Sequence, residues 1–198
     1  MGYITRIYEA LLNRKDKICS KSEIVEIINE YEKEFKCSLN IDNTVKYLSR
    51  HEYIKRIFHG YYYINSVDER KRGYRNYEDK ELLFIVLNKF KIKWYLGLNS
   101  ALYLEGKLWQ VPRTVHILNN KFSGTKKVLS LKVRFFKIKE KLIFSIKKAK
   151  TTNKIKFFCS TKAKTYLDMV YLRISNHLIK NKQTMKYLKF YPKWVGKK

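Results

Sequence analysis

The chain has 198 residues, 45% of them hydrophobic, and its 44 Lys and Arg against 17 Asp and Glu give a formal charge of +27. That apolar share is ordinary for a protein with a core, whereas so much charge of one sign opposes compaction and favours encounter with polyanions. The longest apolar runs, such as Leu82 to Leu87, fall far short of the about 20 residues that cross a bilayer, and no signal-type segment opens the chain, so a cytoplasmic protein is expected.

The charge is unevenly spread. Residues 1–66 hold 11 basic and 9 acidic side chains, while residues 67–198 hold 33 and 8. Nucleic acid is the favoured partner for the second stretch, with an acidic protein surface next. Cys19, Cys37 and Cys159 are widely spaced and odd in number, which argues against a disulfide framework and against a zinc site.

In chain order, Ile4, Ile7, Tyr8 and Leu11 recur at helical spacing. After a polar stretch from Arg14 to Lys17, Ser20 or Ser22 can cap a second helix in which Ile24, Ile27, Ile28, Tyr31 and Phe35 form the apolar stripe. Glu23, Glu26, Glu30, Glu32 and Glu34 make its outer surface negative, so that surface would face away from phosphate. A third helix begins near Asn40 or Asp42, with Ile41, Val45 and Leu48 inward and Asn43, Thr44, Lys46, Tyr47 and Arg50 outward. The period then changes. Tyr53 to Phe58 and Tyr61 to Ile64 read as two strands around His59 and Gly60, where glycine supplies the positive φ of a tight hairpin turn.

Residues 67–77 are polar and read as a linker, and residues 78–198 as a basic domain of mixed helix and strand. Helices are expected over 78–90 and 94–105, the latter closed by Gly106. Strands should dominate from Trp109 to about Phe158, and helices return near Ser160 and over 184–190. In Leu131 to Phe135, alternation separates an apolar face from a basic one carrying Lys132 and Arg134, with Lys126, Lys127 and Lys137 nearby as further phosphate contacts. The run Gly124 to Lys127 reads as an ordinary basic turn. Trp94, Trp109, Phe135, Phe136, Tyr166 and Trp194 are mostly core, though Trp and Tyr also anchor interfaces.

Three helices followed by a hairpin in about sixty residues is the winged helix-turn-helix pattern, so the fold class is α+β with a DNA-binding domain over 1–66. Its third helix can lie in the major groove, where Asn43, Thr44, Lys46, Tyr47 and Arg50 would read base edges, while Lys55, Arg56 and His59 of the wing suit phosphate or minor-groove contacts. The alternative is an RNA-binding or non-specific nucleic-acid-binding protein driven by the basic second domain. Nothing reads as an enzyme. His51, His59, His116 and His177 are scattered without metal-ligand spacing, no phosphate-binding Gly-Lys loop or Gly-x-Ser-x-Gly turn is present in the sequence, and no cofactor is implied.

The segment Leu48-Ser-Arg-His-Glu-Tyr-Ile-Lys-Arg-Ile-Phe-His-Gly-Tyr-Tyr-Tyr-Ile64 resembles the end of the third helix and the wing of AbiEi-type antitoxins, predicted transcriptional regulators of viral-defence systems. Trp94-Tyr-Leu-Gly-Leu-Asn-Ser-Ala-Leu-Tyr-Leu-Glu-Gly106 resembles their signature helix, and Phe158-Cys-Ser-Thr-Lys-Ala-Lys-Thr-Tyr-Leu-Asp-Met-Val170 their Thr-x-Leu-Asp segment, with Lys162 and Lys164 where an acidic residue is common. The resemblance implies a regulator that represses its own operon and a second domain that counters a nucleotidyltransferase-like toxin. Ser100, Ala101 and Leu102 are read from their residues alone as a packed core helix, and Asp168 as a structural residue capping or pairing with nearby lysines.

Overall fold

Helical spacing of apolar residues builds the first helix, α1 (Tyr3–Leu12), which buries Ile7, Tyr8 and Leu11. In the computed structural model, which describes residues 2–197, the polar stretch Arg14 to Lys17 is followed by a three-residue strand β1 (Ile18–Ser20), an element the sequence pattern did not suggest. Ser20 ends that strand and caps α2 (Lys21–Phe35): its hydroxyl accepts from the Glu23 N–H while the Glu23 carboxylate accepts from its own N–H, a reciprocal capping box. Of the two serines that could cap, Ser20 does so. Helix α3 (Ile41–Arg50) is capped by Asn40, and β2 (Ile54–Phe58) and β3 (Tyr61–Ile64) form the hairpin. His59 and Gly60 at its tip both have positive φ, 45° and 77°, the requirement of a two-residue hairpin turn matched to strand twist. The three strands lie in the order β1-β3-β2, all antiparallel, and their core is Ile7, Leu11, Ile24, Ile28, Val45, Leu48, Ile54 and Ile64.

The segment read as a linker is structured. Helix α4 (Val67–Arg72) has its own capping box, between Ser66 and Glu69, and ends on Gly73 at φ +75°. Glu69 is buried, and its carboxylate accepts from the Tyr63 hydroxyl at 2.6 Å, the Ser66 N–H at 2.7 Å and the Asn76 N–H at 2.8 Å, tying α4 to the hairpin. A carboxylate that accepts three hydrogen bonds does not belong to a flexible connector. The first compact unit accordingly runs over Met1–Val86, and the boundary falls inside α5 (Asp79–Lys89) rather than before it.

The second unit, Leu87–Lys198, is built on a six-stranded mixed sheet. Its strands are β4 (Trp94–Leu96), β5 (Thr114–Asn119), β6 (Gly124–Val128), β7 (Leu131–Lys137), β8 (Ile146–Lys150) and β9 (Lys156–Ser160), in the order β6-β7-β5-β4-β9-β8. Trp94 to Leu96 is therefore strand where a helix was expected, and α6 (Leu98–Leu104) starts only after Gly97. That glycine is a packing requirement, since a Cβ there would come within 2.5 Å of Leu118 Cδ1. The run expected to be a basic turn, Gly124 to Lys127, is likewise strand. Helices α7 (Lys162–Tyr171) and α8 (Lys182–Leu188) complete the unit, and one core joins Tyr95, Leu98 and Leu118 to Leu167, Val170, Tyr191 and Val195. The fold is thus α+β. No helix among the described residues is long and apolar enough to cross a membrane.

Candidate nucleic-acid interface

Asn43, Lys46, Tyr47 and Arg50 fall at i, i+3, i+4 and i+7, and all four are exposed along one face of α3. Thr44 does not join them. It is only 3% exposed, packed beside Val45, and its hydroxyl donates to the Asn40 carbonyl at 2.9 Å, which corrects the expectation that it faces outward. A threonine on a helix can turn inward because this local bond satisfies its one donor. The Tyr47 ring lies against His51 with centroids 4.1 Å apart, giving the C-terminal half of the face an aromatic surface.

Lys55 and Arg56 are both exposed but project to opposite faces of the hairpin, because they are consecutive in one strand: Lys55 pairs with Tyr63 and Arg56 with Tyr62. Arg56 is the one on the side of α3. The link is Lys21, which no sequence pattern singled out. Its ammonium donates to Asp42 in the first turn of α3 at 2.9 Å. The Asp42 carboxyl is held below the usual range by that hydrogen bond and charge, with Lys46 adding to them, and Lys21 in turn feels the field of Arg56. Lys21 and Lys46 are thus two cations around a single carboxylate at the N-terminal end of α3, with the Arg56 charge felt by Lys21. The Lys21 N–H also donates to the Gly60 carbonyl at 2.7 Å, which anchors the hairpin turn, with exposed His59, to the start of α2.

In the acidic helix α2, two of the five glutamates have structural work. Glu23 closes the capping box and pairs with Arg14, and Glu32 accepts from the Leu39 N–H. Beyond its C-terminal turn, Lys36 takes a left-handed conformation at φ 49°.

In the second unit, register sorts the expected phosphate contacts. Lys127 stands directly opposite Lys132, and Thr125 opposite Arg134, so Lys127, Lys132 and Arg134 share one face of the sheet. Lys126 is opposite Val133, and Lys137 is five residues from Lys132, so both leave the other face. Like charges set opposite across strands cost about 0.2–1 kcal/mol relative to a neutral pair. Among the described residues, the unit's side-chain carboxylates pair with other lysines. The unit contains 28 Lys and Arg and three side-chain carboxylates: Glu105 pairs with Lys147, Glu140 with Lys93, and Asp168 with Lys164. On the same face, His116 is in register with Arg134, whose guanidinium sits 4.9 Å from the Phe136 ring centre. Burial and, after it, the Arg134 charge depress the His116 pKa below its ordinary value, and its Nδ1 is buried without a hydrogen-bond partner.

The two later motif segments meet in the core. Leu96 pairs with Cys159 in parallel, the Ser160 and Thr165 hydroxyls lie 2.6 Å apart, and Ser100 accepts from the His116 N–H at 2.9 Å. Lys164, with no exposed surface, donates to the Tyr95 hydroxyl at 3.0 Å, to the Tyr191 hydroxyl at 2.7 Å and to Asp168. Both hydroxyls donate in turn to the Asp168 carboxylate, at 2.8 and 2.7 Å. All three ammonium protons are taken, as an ion pair this deep requires. Burial pushes the Tyr95 and Tyr191 hydroxyls up, with Asp168 adding to it, and pulls Lys164 down against the pull of Asp168. The cluster has no open side for a substrate. Asp168 therefore holds the fold, through a lysine on its own helix and two tyrosines from outside it.

Of the aromatic residues expected mostly in the core, Trp94 and Phe135 are there, while Trp109 is 93% exposed. Among the described residues no three His, Cys, Asp or Glu side chains stand together as a metal site would need. Neither a known family model nor the sequence of a curated protein matches the chain.

Proposed function

We propose that the chain is a DNA-binding transcriptional regulator whose first unit is a winged helix-turn-helix. The observation that carries this reading is the exposed stripe Asn43, Lys46, Tyr47 and Arg50 on a helix packed into a three-helix core, with Lys21 bonded to its first turn and Arg56 acting on Lys21. The chain order of helix, strand, two helices and hairpin, with the strand order β1-β3-β2, supports it. Asn43 and Arg50 read base edges in the major groove, Lys46 and Arg56 contact phosphates, and Tyr47 packs on the groove wall. Lys55, on the far side of the wing, and His59, at its tip, reach the flanking backbone. The acidic Glu26, Glu30 and Glu34 face away from the duplex.

The resemblance to AbiEi-type antitoxins extends the proposal to a cytoplasmic regulator, not an enzyme, that represses its own operon and counters a nucleotidyltransferase-like toxin through its second unit. A second reading, nucleic-acid binding driven by the second unit, is favoured by the Lys127, Lys132 and Arg134 face.

Footprinting across the genome identifies the operator, and binding isotherms on that duplex then test the reading. Replacing Asn43 or Arg50 by Ala should cost about 1–3 kcal/mol and relax preference at one base position. Wild-type affinity in both variants would remove α3 from the interface. In cells carrying an adjacent toxin gene, the doubly substituted chain should lose repression and keep neutralisation.

A further inference from the structure

An indole left 93% exposed is an unusual use of the largest apolar side chain, and Trp109 sits in a particular setting. It lies in the loop between α6 and β5, beside an open cavity of about 360 Å³ whose polar lining is Asn99, Gln110 and Arg113. The loop runs through Arg113 into Thr114, whose register partner is Lys132, which in turn stands opposite Lys127. The ring and the cationic rows of the sheet therefore share one end of the second unit. Lys132 and Arg134 are two residues apart on one strand, about 6.6 Å along it, so their charges form a track rather than a point.

We infer that this end of the second unit binds single-stranded nucleic acid, with one base stacked on Trp109 and the backbone running over Lys127, Lys132 and Arg134. The phosphates supply the countercharge that the unit itself lacks, since its three side-chain carboxylates are already paired elsewhere. An unpaired base offers an open face to the indole and its edge to the amides of Asn99 and Gln110. A duplex hides its base faces within the stack, and an acidic protein would use the cations without needing a ring set among amides. The site is separate from α3 and stands or falls independently of the operator reading.

The test uses the full-length chain with labelled uridylate and deoxyuridylate strands of about 12 nucleotides, within the range that single-strand binding folds cover. A duplex of the same length serves as the control. Because Trp109 is almost wholly exposed, its substitution leaves the core untouched. Trp109→Ala should weaken single-strand binding about 5- to 100-fold and leave duplex binding unchanged, and Trp109→Phe should restore most of the loss. Lys132→Ala and Arg134→Ala should each lower the logarithmic salt slope by about 0.7. Binding should also raise the His116 pKa, followed by NMR, as phosphate offsets Arg134. The two strand types separate RNA from DNA as the source. Equal single-strand affinity of wild type and Trp109→Ala would overturn the inference, as would equal loss on single strand and duplex. Displacement of the strand by polyglutamate at matched charge, insensitive to Trp109, would assign the face to an acidic protein instead. Substitutions at Asn43 and Arg50 should leave single-strand binding intact, so failure here is distinguishable from failure of the operator reading.

Discussion

In the first unit, 16 basic and 14 acidic side chains nearly balance, and two glutamates, Glu23 and Glu69, close capping boxes at helix starts and reach beyond them to Arg14 and Tyr63. In the second, 28 basic side chains meet three carboxylates, one of which, Asp168, is buried with Lys164 at its centre. The contrast teaches what each unit can bind. A balanced unit gains specificity from where a few side chains point, because its overall field is weak. A unit with this excess attracts polyanions from a distance, and local shape then decides which one stays.

The comparison breaks most visibly at Asp168. Its replacement by Ala strands a buried ammonium and should destabilise the second unit by about 3–5 kcal/mol while the first unit holds, read by hydrogen exchange resolved to each unit. Replacing Lys164 and Asp168 together by Met and Leu should cost less than the single change. A loss below about 1 kcal/mol in Asp168→Ala would mean that the cluster does not hold the fold.

Glu69 is the counterpart in the first unit. Burial raises its carboxyl, but the Asn76 and Ser66 N–H groups and the Tyr63 hydroxyl outweigh burial and bring it below the ordinary value. A carboxylate depressed on folding contributes stability that is present above the unfolded pKa and lost as pH falls through the folded one. Glu69→Gln should thus cost the first unit about 1–3 kcal/mol at neutral pH and flatten its acid unfolding below about pH 4.3, measured by urea titration at several pH values.

A smaller effect sharpens the contrast. Lys127→Glu replaces a repulsive cross-strand pair with an attractive one and should stabilise the second unit by about 0.2–1 kcal/mol while weakening its hold on nucleic acid. Stability unchanged or lowered would show that Lys132 already has relief. The smallest effect is at His116, which should titrate below its ordinary 6.5 and move part-way back in Arg134→Gln. Since folding lowers that pKa, stability should fall as pH drops below about 6.5 toward the folded value, visible in an NMR titration with parallel melting curves.

Much of the first unit was legible because apolar residues at intervals of three and four, then the change of period after Tyr53, are strong signals. Thr44 was misplaced because polarity alone does not tell whether a hydroxyl turns back to the Asn40 carbonyl. Ile18 to Ser20 is too short to show a period, and Trp94 to Leu96 is an apolar run that suits helix and strand equally. The side of the sheet on which Lys137 lies could be counted from Lys132, but that of Lys126 depends on register with β7, a tertiary fact. Lys21 carried no signal, and Trp109 was one of six aromatics expected mostly in the core, since composition does not tell which indole is left outside. Lys21 became visible through its ion pair with Asp42 and Trp109 through its exposure.

Among the described residues, the order β6-β7-β5-β4-β9-β8 puts β6 and β8 at the two edges of the sheet. Unpaired strand edges are templates on which copies of a chain add to one another, and inserted lysines are a usual deterrent. Here β6 carries Lys126 and Lys127 and β8 carries Lys147, Lys148 and Lys150, all exposed. Two copies meeting edge to edge would set lysine against lysine, so the charge also keeps the sheets of neighbouring molecules apart. Whatever neutralises those lysines, from acetylation to a loosely held polyanion, removes that guard and exposes the chain to self-assembly.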